Sequence, residues 1–316
     1  MSRRIIDLHC DALSKLQLDP KLDFAKDERL DVNMQRMLEG GVGLQCFAIY
    51  LSERLGKPQI EFILDQLDLF ASRLVPEGIV MIKSVQDLEA AEKEGKLGGL
   101  LSIEGADGLE GNLHYLQICY ERGVRLLGLT WNYANWAADG ILEPRGGGLT
   151  LKGRELVRFC HRLGIILDVS HLSVKGFWEV ASMCEAAGAS MIASHSNAYK
   201  ICPHARNLRD DQIRALISLD GRIGITFVPW FIKKAKATQI EDILPHLDHI
   251  CALGGAKHMM FGSDFDGIEQ HIRGLEHAGK YEAWAEFLIK HYQEELVQGW
   301  LSGNARSFLR RWLPKI

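Results

Sequence analysis

The chain alternates short, mostly apolar runs with longer stretches in which apolar residues recur every three or four positions. The runs fall at 4–8, 42–50, 98–103, 124–129, 164–169, 190–193, 222–227 and 258–261. Runs that stay apolar along their length suit strands of a parallel sheet covered on both faces. Between them lie helical patterns. Leu64, Leu67, Leu69 and Leu74 share one, and Leu88, Ala91 and Leu97 another. Segments 153–163, 174–187, 210–219 and 240–253 continue the series, and the stretch after Tyr281 reads as further helix. Eight strand–helix units without a Pro/Gly/Ser linker predict an α/β fold. The expected form is a closed (β/α)8 TIM barrel occupying 1–316 as a single domain.

Polar residues stand where these runs end. His9 and Asp11 follow the first, in Asp7-Leu8-His9-Cys10-Asp11, and Glu104 follows the third, in Leu101-Ser102-Ile103-Glu104-Gly105. Thr130-Trp131-Asn132 follow the fourth, Ser170-His171 the fifth, Ser194-His195-Ser196-Asn197 the sixth and Ser263-Asp264 the eighth. The C-terminal ends of barrel strands converge on one mouth, where such folds keep their active sites. Residues far apart in sequence are thereby predicted to be neighbours.

Three histidines with carboxylates and no cysteine suit a borderline metal such as zinc. Residues i and i+2 of a strand point the same way, so His9 and Asp11 can share one ion. His171 and His195 can share a second, and Glu104 can bridge the two. Two such ions about 3.5–4 Å apart deprotonate a shared water to a hydroxide nucleophile. Asp264 is left free to carry a proton to a leaving group. Each piece alone has a plainer reading. A histidine after a strand is often a satisfied loop residue, Glu104 could serve a helix N-terminus, and Asp264 and Asp266 could be turn residues beside Gly262 and Gly267. Their common position at one end of successive strands favours a site.

Composition narrows the partners. The 316 residues carry 37 basic and 41 acidic side chains, a net charge of −4, which gives no reason to expect nucleic acid or an anionic membrane. No apolar run reaches the roughly 18 residues of a spanning helix. Neither a secretory signal nor a lipid-anchor signal is visible, and the seven cysteines are scattered without a C-x-x-C pair. A cytoplasmic enzyme with reduced thiols is the expectation.

These motifs, taken in order, resemble the membrane (renal) dipeptidase family of dinuclear zinc peptidases. The likeness rests on Asp7-Leu8-His9-Cys10-Asp11, Ile103-Glu104-Gly105 and Leu129-Thr130-Trp131-Asn132-Tyr133-Ala134-Asn135 with Ala138-Asp139-Gly140. It rests also on Asp168-Val169-Ser170-His171, Ser194-His195-Ser196-Asn197-Ala198-Tyr199, Arg206-Asn207-Leu208-Arg209-Asp210-Asp211-Gln212 and Gly262-Ser263-Asp264-Phe265-Asp266-Gly267. The resemblance implies two Zn2+ per chain, one held by His9, Asp11 and Glu104, the other by Glu104, His171 and His195. It implies that Asp264 is catalytic and also meets substrate, and that Arg206 grips a substrate carboxylate, for which a guanidinium fork is suited. It further implies hydrolysis of dipeptides, including L-Xaa-D-Xaa, by a metal-bridging hydroxide, and a homodimer. One position departs from the family pattern. Where well-studied members carry a histidine, Thr130 is followed by Trp131, so Trp131 and Asn132 are the expected substrate contacts there. Asn132 or Asn135 could supply an oxyanion donor, or Trp131 an apolar wall. Two other functions fit the same residues: hydrolysis of another carboxylate-bearing amide or a lactone, and a barrel that only binds. The complete ligand set speaks against the second.

Overall fold

The computed structural model describes residues 5–234 and 237–315. Arg4, the first residue of the first expected strand, lies outside them. Among these residues nine strands run in chain order: β1 (Ile5–Cys10), β2 (Val42–Tyr50), β3 (Ile79–Met81), β4 (Leu97–Glu104), β5 (Val124–Gly128), β6 (Ile166–Asp168), β7 (Met191–Ala193), β8 (Arg222–Ile225) and β9 (Met259–Phe261). Eight of them close a parallel ring in the order β1-β2-β4-β5-β6-β7-β8-β9, with β9 returning to β1. The fold is a TIM barrel. β3 lies outside the ring. It pairs with Leu97–Gly99 of β4, along the edge that β5 takes over from Leu101 onward. Sequence pattern missed β3 because three residues are too few to show a period.

The helices stand where amphipathic patterns predict them, and their ends have local causes. Thr150 and Ser173 accept hydrogen bonds from Gly153 N and Gly176 N, capping the helices Leu151–Leu163 and Val174–Ala187. Such caps contribute about 1 kcal/mol each. Gly164 and Gly188 then end those helices in the left-handed conformation. The expected helix through Leu88, Ala91 and Leu97 stops earlier. It spans Val85–Glu94, Gly95 turns the chain at φ 75°, and Leu97 opens β4 instead.

The inside of the ring is a packed core. Ile6, Leu8, Leu44, Leu100, Leu126 and Ile192 belong to one buried cluster that also includes Phe308 and Leu309 of the last helix, Asn304–Trp312. That helix seals the floor of the barrel. Arg222 Nε, at the start of β8, donates to Asn304 O at 2.9 Å and fastens it there. Apolar layers below leave the opposite end, the C-terminal ends of the strands, as the place for polar side chains. All seven cysteines are free. No helix among the described residues is long and apolar enough to cross a membrane.

Candidate metal centre and substrate cavity

β1 delivers two of the expected residues through a slip in its pairing. Asp7 pairs with Gln45 but Cys10 with Phe47, so β1 has gained one residue on β2. A bulge of this kind re-aims side chains at the end of a strand. Asp7 turns to the neighbouring strand end, where its carboxylate accepts from Ser263 N (2.9 Å) and Ser263 Oγ (2.7 Å). His9 turns to the barrel mouth. Its Nε2 lies 3.5 Å from Asp11 Oδ2, 3.7 Å from Glu104 Oε1 and 3.7 Å from Asp264 Oδ1. Both ring nitrogens of His9, and Asp11 Oδ1, are buried without a hydrogen bond. Leaving such atoms unpaired in a folded interior costs about 1–3 kcal/mol each, which is the mark of a ligand set.

The other two histidines are held by partners that fix their protons. Asp168, at the end of β6, accepts from Ser170 N and Ser194 N, each at 3.0 Å, and from Ser194 Oγ. A carboxylate only accepts, so the Ser194 hydroxyl spends its one hydrogen on Asp168. It must then accept from His195 Nδ1, 2.7 Å away. Likewise Asn132 Oδ1 is 2.8 Å from His171 Nδ1, and a carbonyl oxygen can only accept. Both imidazoles therefore carry their proton on Nδ1 and present a bare Nε2. These two Nε2 atoms face each other at 2.8 Å, and both face Glu104 Oε1, at 3.0 Å for His171 and 3.5 Å for His195. Lone pairs converging in this way repel one another unless a cation lies among them.

The electrostatics agree. Burial opposes charge on His9, but Glu104, Asp11 and Asp264 outweigh it and raise its pKa to about 10. Burial and the neighbouring carboxylates raise Glu104 to about 8 and Asp264 to about 6. Burial, with Arg206 and His9 nearby, holds His171 and His195 well below the usual histidine range. His171 and His195 are thus neutral and ready to bind a divalent cation, while the carboxylates round His9 hold on it the positive charge that a cation would supply in its place. The ligand atoms of His9, Glu104 and His195 lie within 4.8 Å of one another, and so do those of His9, Asp11 and Asp264. His171 joins the first group through its contacts with Glu104 and His195. Asp264 thus lies close beside the ligand atoms of His9 and Asp11. It and His171 hold left-handed backbones, at φ 68° and 67°, a strain of order 1–3 kcal/mol that non-glycine residues keep where position matters.

Asp266, its neighbour by two, does something else. Its carboxylate accepts from Asp31 N (2.8 Å) and Val32 N (2.9 Å) and pairs with Lys15 Nζ at 2.9 Å. It ties the loop after the first helix to the barrel rim. Of the two aspartates in this turn, only Asp264 meets the histidine cluster.

Above the cluster opens a cavity of about 800 Å3, bordered by Asp11, Glu104, His171, Asp264, Arg206 and Trp131. That volume suits a small-molecule ligand. Arg206 is 5% exposed. Its Nη2 makes one long hydrogen bond, 3.4 Å to His195 O, and its Nε has no partner. Trp131 lines the cavity against Tyr50, their ring centres 5.2 Å apart. Asn132 also borders the cavity, but its carboxamide oxygen is engaged with His171. Asn135 is not available as an oxyanion donor. Its amide nitrogen serves Asp107 Oδ2 (2.9 Å) and Leu129 O (2.8 Å), and its oxygen accepts from Ala137 N and Ala138 N. Sequence reasoning assigned no role to Asp7, Ser194 or Tyr50. The first two adjoin the histidines they support, but their partners lie on other strands.

Comparison with known proteins follows the same line. The sequence matches membrane dipeptidase (peptidase family M19) over residues 2–312. The chain belongs to this family. It is 33% identical over 266 residues to dipeptidase aclJ of Aspergillus oryzae, a match covering 79% of this chain. The match spans 62% of that relative's length, and 65% of a second fungal relative, dipeptidase tcpJ of Claviceps purpurea. Among solved structures, the M19 metallopeptidase described as dipeptidase AC superposes with a TM-score of 0.90 at 27% identity, covering 99% of both chains. A metallopeptidase from Rhodobacter sphaeroides bound to a phosphinate mimic of L-Ala-D-Ala gives 0.88 at 26% identity, covering 99% of this chain and 100% of that one. Metal dependence comes with the family.

Proposed function

We propose that this protein is a zinc dipeptidase that hydrolyses dipeptides carrying a free C-terminal carboxylate, L-Xaa-D-Xaa among them. The observation that carries this reading is a buried, almost unpartnered Arg206 bordering the same cavity as the converging histidines. Asp264, Glu104 and Asp168 favour the charge on Arg206 from a distance, but no carboxylate among the described residues pairs with it directly, and a carboxylate-bearing ligand that does so offsets the cost of burying a guanidinium. The Rhodobacter relative's ligand, a mimic of L-Ala-D-Ala, supports the substrate class and the D-residue.

His9, Asp11 and Glu104 would hold one ion, and Glu104, His171 and His195 the other. When bound, the ions supply Lewis acidity toward a carbonyl oxygen and toward water. The remaining work falls to the chain. Arg206 binds the terminal carboxylate and so sets where the peptide bond lies. Asp168, acting through Ser194, and Asn132 keep His195 and His171 in the tautomer that presents Nε2. Asp264 Oδ1 takes the proton from the water whose oxygen bonds to the peptide carbon. It returns that proton to the amine nitrogen as the carbon–nitrogen bond breaks.

A panel of dipeptides, their C-terminal amides and a lactone tests the reading with the zinc-loaded protein. Dipeptides should be cleaved and their amides cleaved poorly. Equal turnover of dipeptide and amide, or turnover of the lactone alone, would sink it. Asp264→Asn should abolish turnover with both ions still bound.

A further inference from the structure

Tyr50 and Trp131 each border two spaces: the 800 Å3 cavity and a second pocket of about 260 Å3 beside it. Glu104 is shared as well, but from below, at the end of β4. The two rings lie 5.2 Å apart, tilted by 51°, and form the wall between the spaces. The wall is braced on both sides. Gln66 Nε2 donates to the Tyr50 carbonyl at 2.6 Å. The segment that carries Trp131 is held by Leu142 N, which donates to Asn132 O at 2.8 Å. Gly140 packs so closely against that segment that a Cβ there would lie 2.3 Å from the Asn132 carbonyl carbon.

The strand circuit places this wall relative to Arg206. Tyr50 ends β2, and Arg206 follows β7, four steps away in either direction around the eight-strand ring. They stand on opposite sides of the mouth, with Glu104 and the histidines between them. A dipeptide whose carboxylate sits on Arg206 and whose peptide bond lies over Glu104 directs its amino-terminal residue at the wall. We infer that Tyr50 and Trp131 are specificity-determining residues that cap the size of the amino-terminal side chain, closing off a pocket that would otherwise accept a bulky one. This rests on the dipeptidase reading, which assigns Arg206 to the carboxylate.

The test compares Ala–Ala with Phe–Ala in the wild type and in Trp131→Ala, Trp131→Leu and Tyr50→Leu, the leucine variants keeping apolar bulk should alanine impair folding. The quantity read is the ratio of kcat/KM for Phe–Ala to that for Ala–Ala. It should rise at least about tenfold in each folded variant, the scale on which apolar pockets discriminate side chains by size. The same ratio is read without turnover from Kd values of phosphinate mimics of the two dipeptides. If the wild type cleaves dipeptides and the ratios stay within about twofold, the partition is refuted and the dipeptidase reading survives. If the wild type binds the mimics without cleaving dipeptides and the Kd ratio shifts, the reading fails and the partition stands. If it neither cleaves nor binds, both fall.

Discussion

Asp168 lies behind the metal-facing atoms, and its replacement by asparagine tests the tautomer argument. In the wild type its carboxylate takes the hydrogen of Ser194, which obliges His195 to point its own Nδ1–H at Ser194. In Asp168→Asn the new carboxamide would keep one oxygen for Ser170 N and Ser194 N but place an NH2 against the Ser194 hydroxyl. Ser194 would then accept from that amide and donate to His195 Nδ1. The imidazole proton would move to Nε2, where a metal must bind. Changes to partners of this kind typically weaken metal affinity about 10- to 100-fold, or about 1.4–2.7 kcal/mol. Competition against a chelator should show one of two ions weakened by that amount and the other little changed. Ser194→Ala, which removes the acceptor without reversing it, should cost less than Asp168→Asn. Unchanged affinity in a folded Asp168→Asn protein, or equal weakening of both ions, would refute the reasoning.

Three other outcomes follow from the geometry. A Cβ at Gly267 would lie 2.3 Å from Asp11 Oδ2 and 2.6 Å from Asp264 Oδ1, so Gly267→Ala should displace both carboxylates and weaken the ion held by His9 and Asp11 by about tenfold or more in the same titration. Affinity equal to wild type would contradict the placement. Arg206→Lys loses the guanidinium fork, and with charged hydrogen bonds contributing about 1.5–3 kcal/mol, kcat/KM for a dipeptide should fall roughly 10- to 150-fold while that for its amide changes little; an equal fall for both would count against the carboxylate role. His271 pairs with Asp31 at 2.9 Å, and that hydrogen bond, against partial burial, raises its pKa. The folded state therefore holds the proton more tightly than the unfolded chain. The stabilisation is full below the ordinary histidine value and lost as pH rises through the raised folded value. The Tm gap between wild type and His271→Gln should be widest at pH values below the ordinary histidine pKa and narrow steadily as pH rises above it; a gap independent of pH would exclude this origin.

Much of the barrel was legible because its strands are buried on both faces and therefore mostly apolar, without the alternation of a half-exposed sheet. All eight ring strands overlap the apolar runs, and the polar residues that follow them do meet at one mouth. Leu97 misled because it follows the helical pair Leu88 and Ala91 with only Gly95 to mark the stop, and at six and nine positions on it falls off their face of a helix. The candidate site was legible as residue types at strand ends. Its fine structure was not. The bulge that separates Asp7 from His9 depends on pairing with β2, which has no local signature. The chain from Asp168 to Ser194 to His195 joins residues 26 positions apart, and the contrast between Asp264 and Asp266 depends on where the loop bearing Asp31 folds back. Asn132 and Asn135 look alike in sequence, yet one orients a histidine and the other stitches a loop.

Two ions held by five named side chains are the central proposal, and zinc-edge anomalous diffraction from crystals of the zinc-loaded protein tests it directly. Two peaks are expected. One should lie about 2.0–2.2 Å from ligand atoms of His9, Asp11 and Glu104, and the other at like distance from Glu104, His171 and His195. A single peak, or peaks away from Glu104, would contradict it.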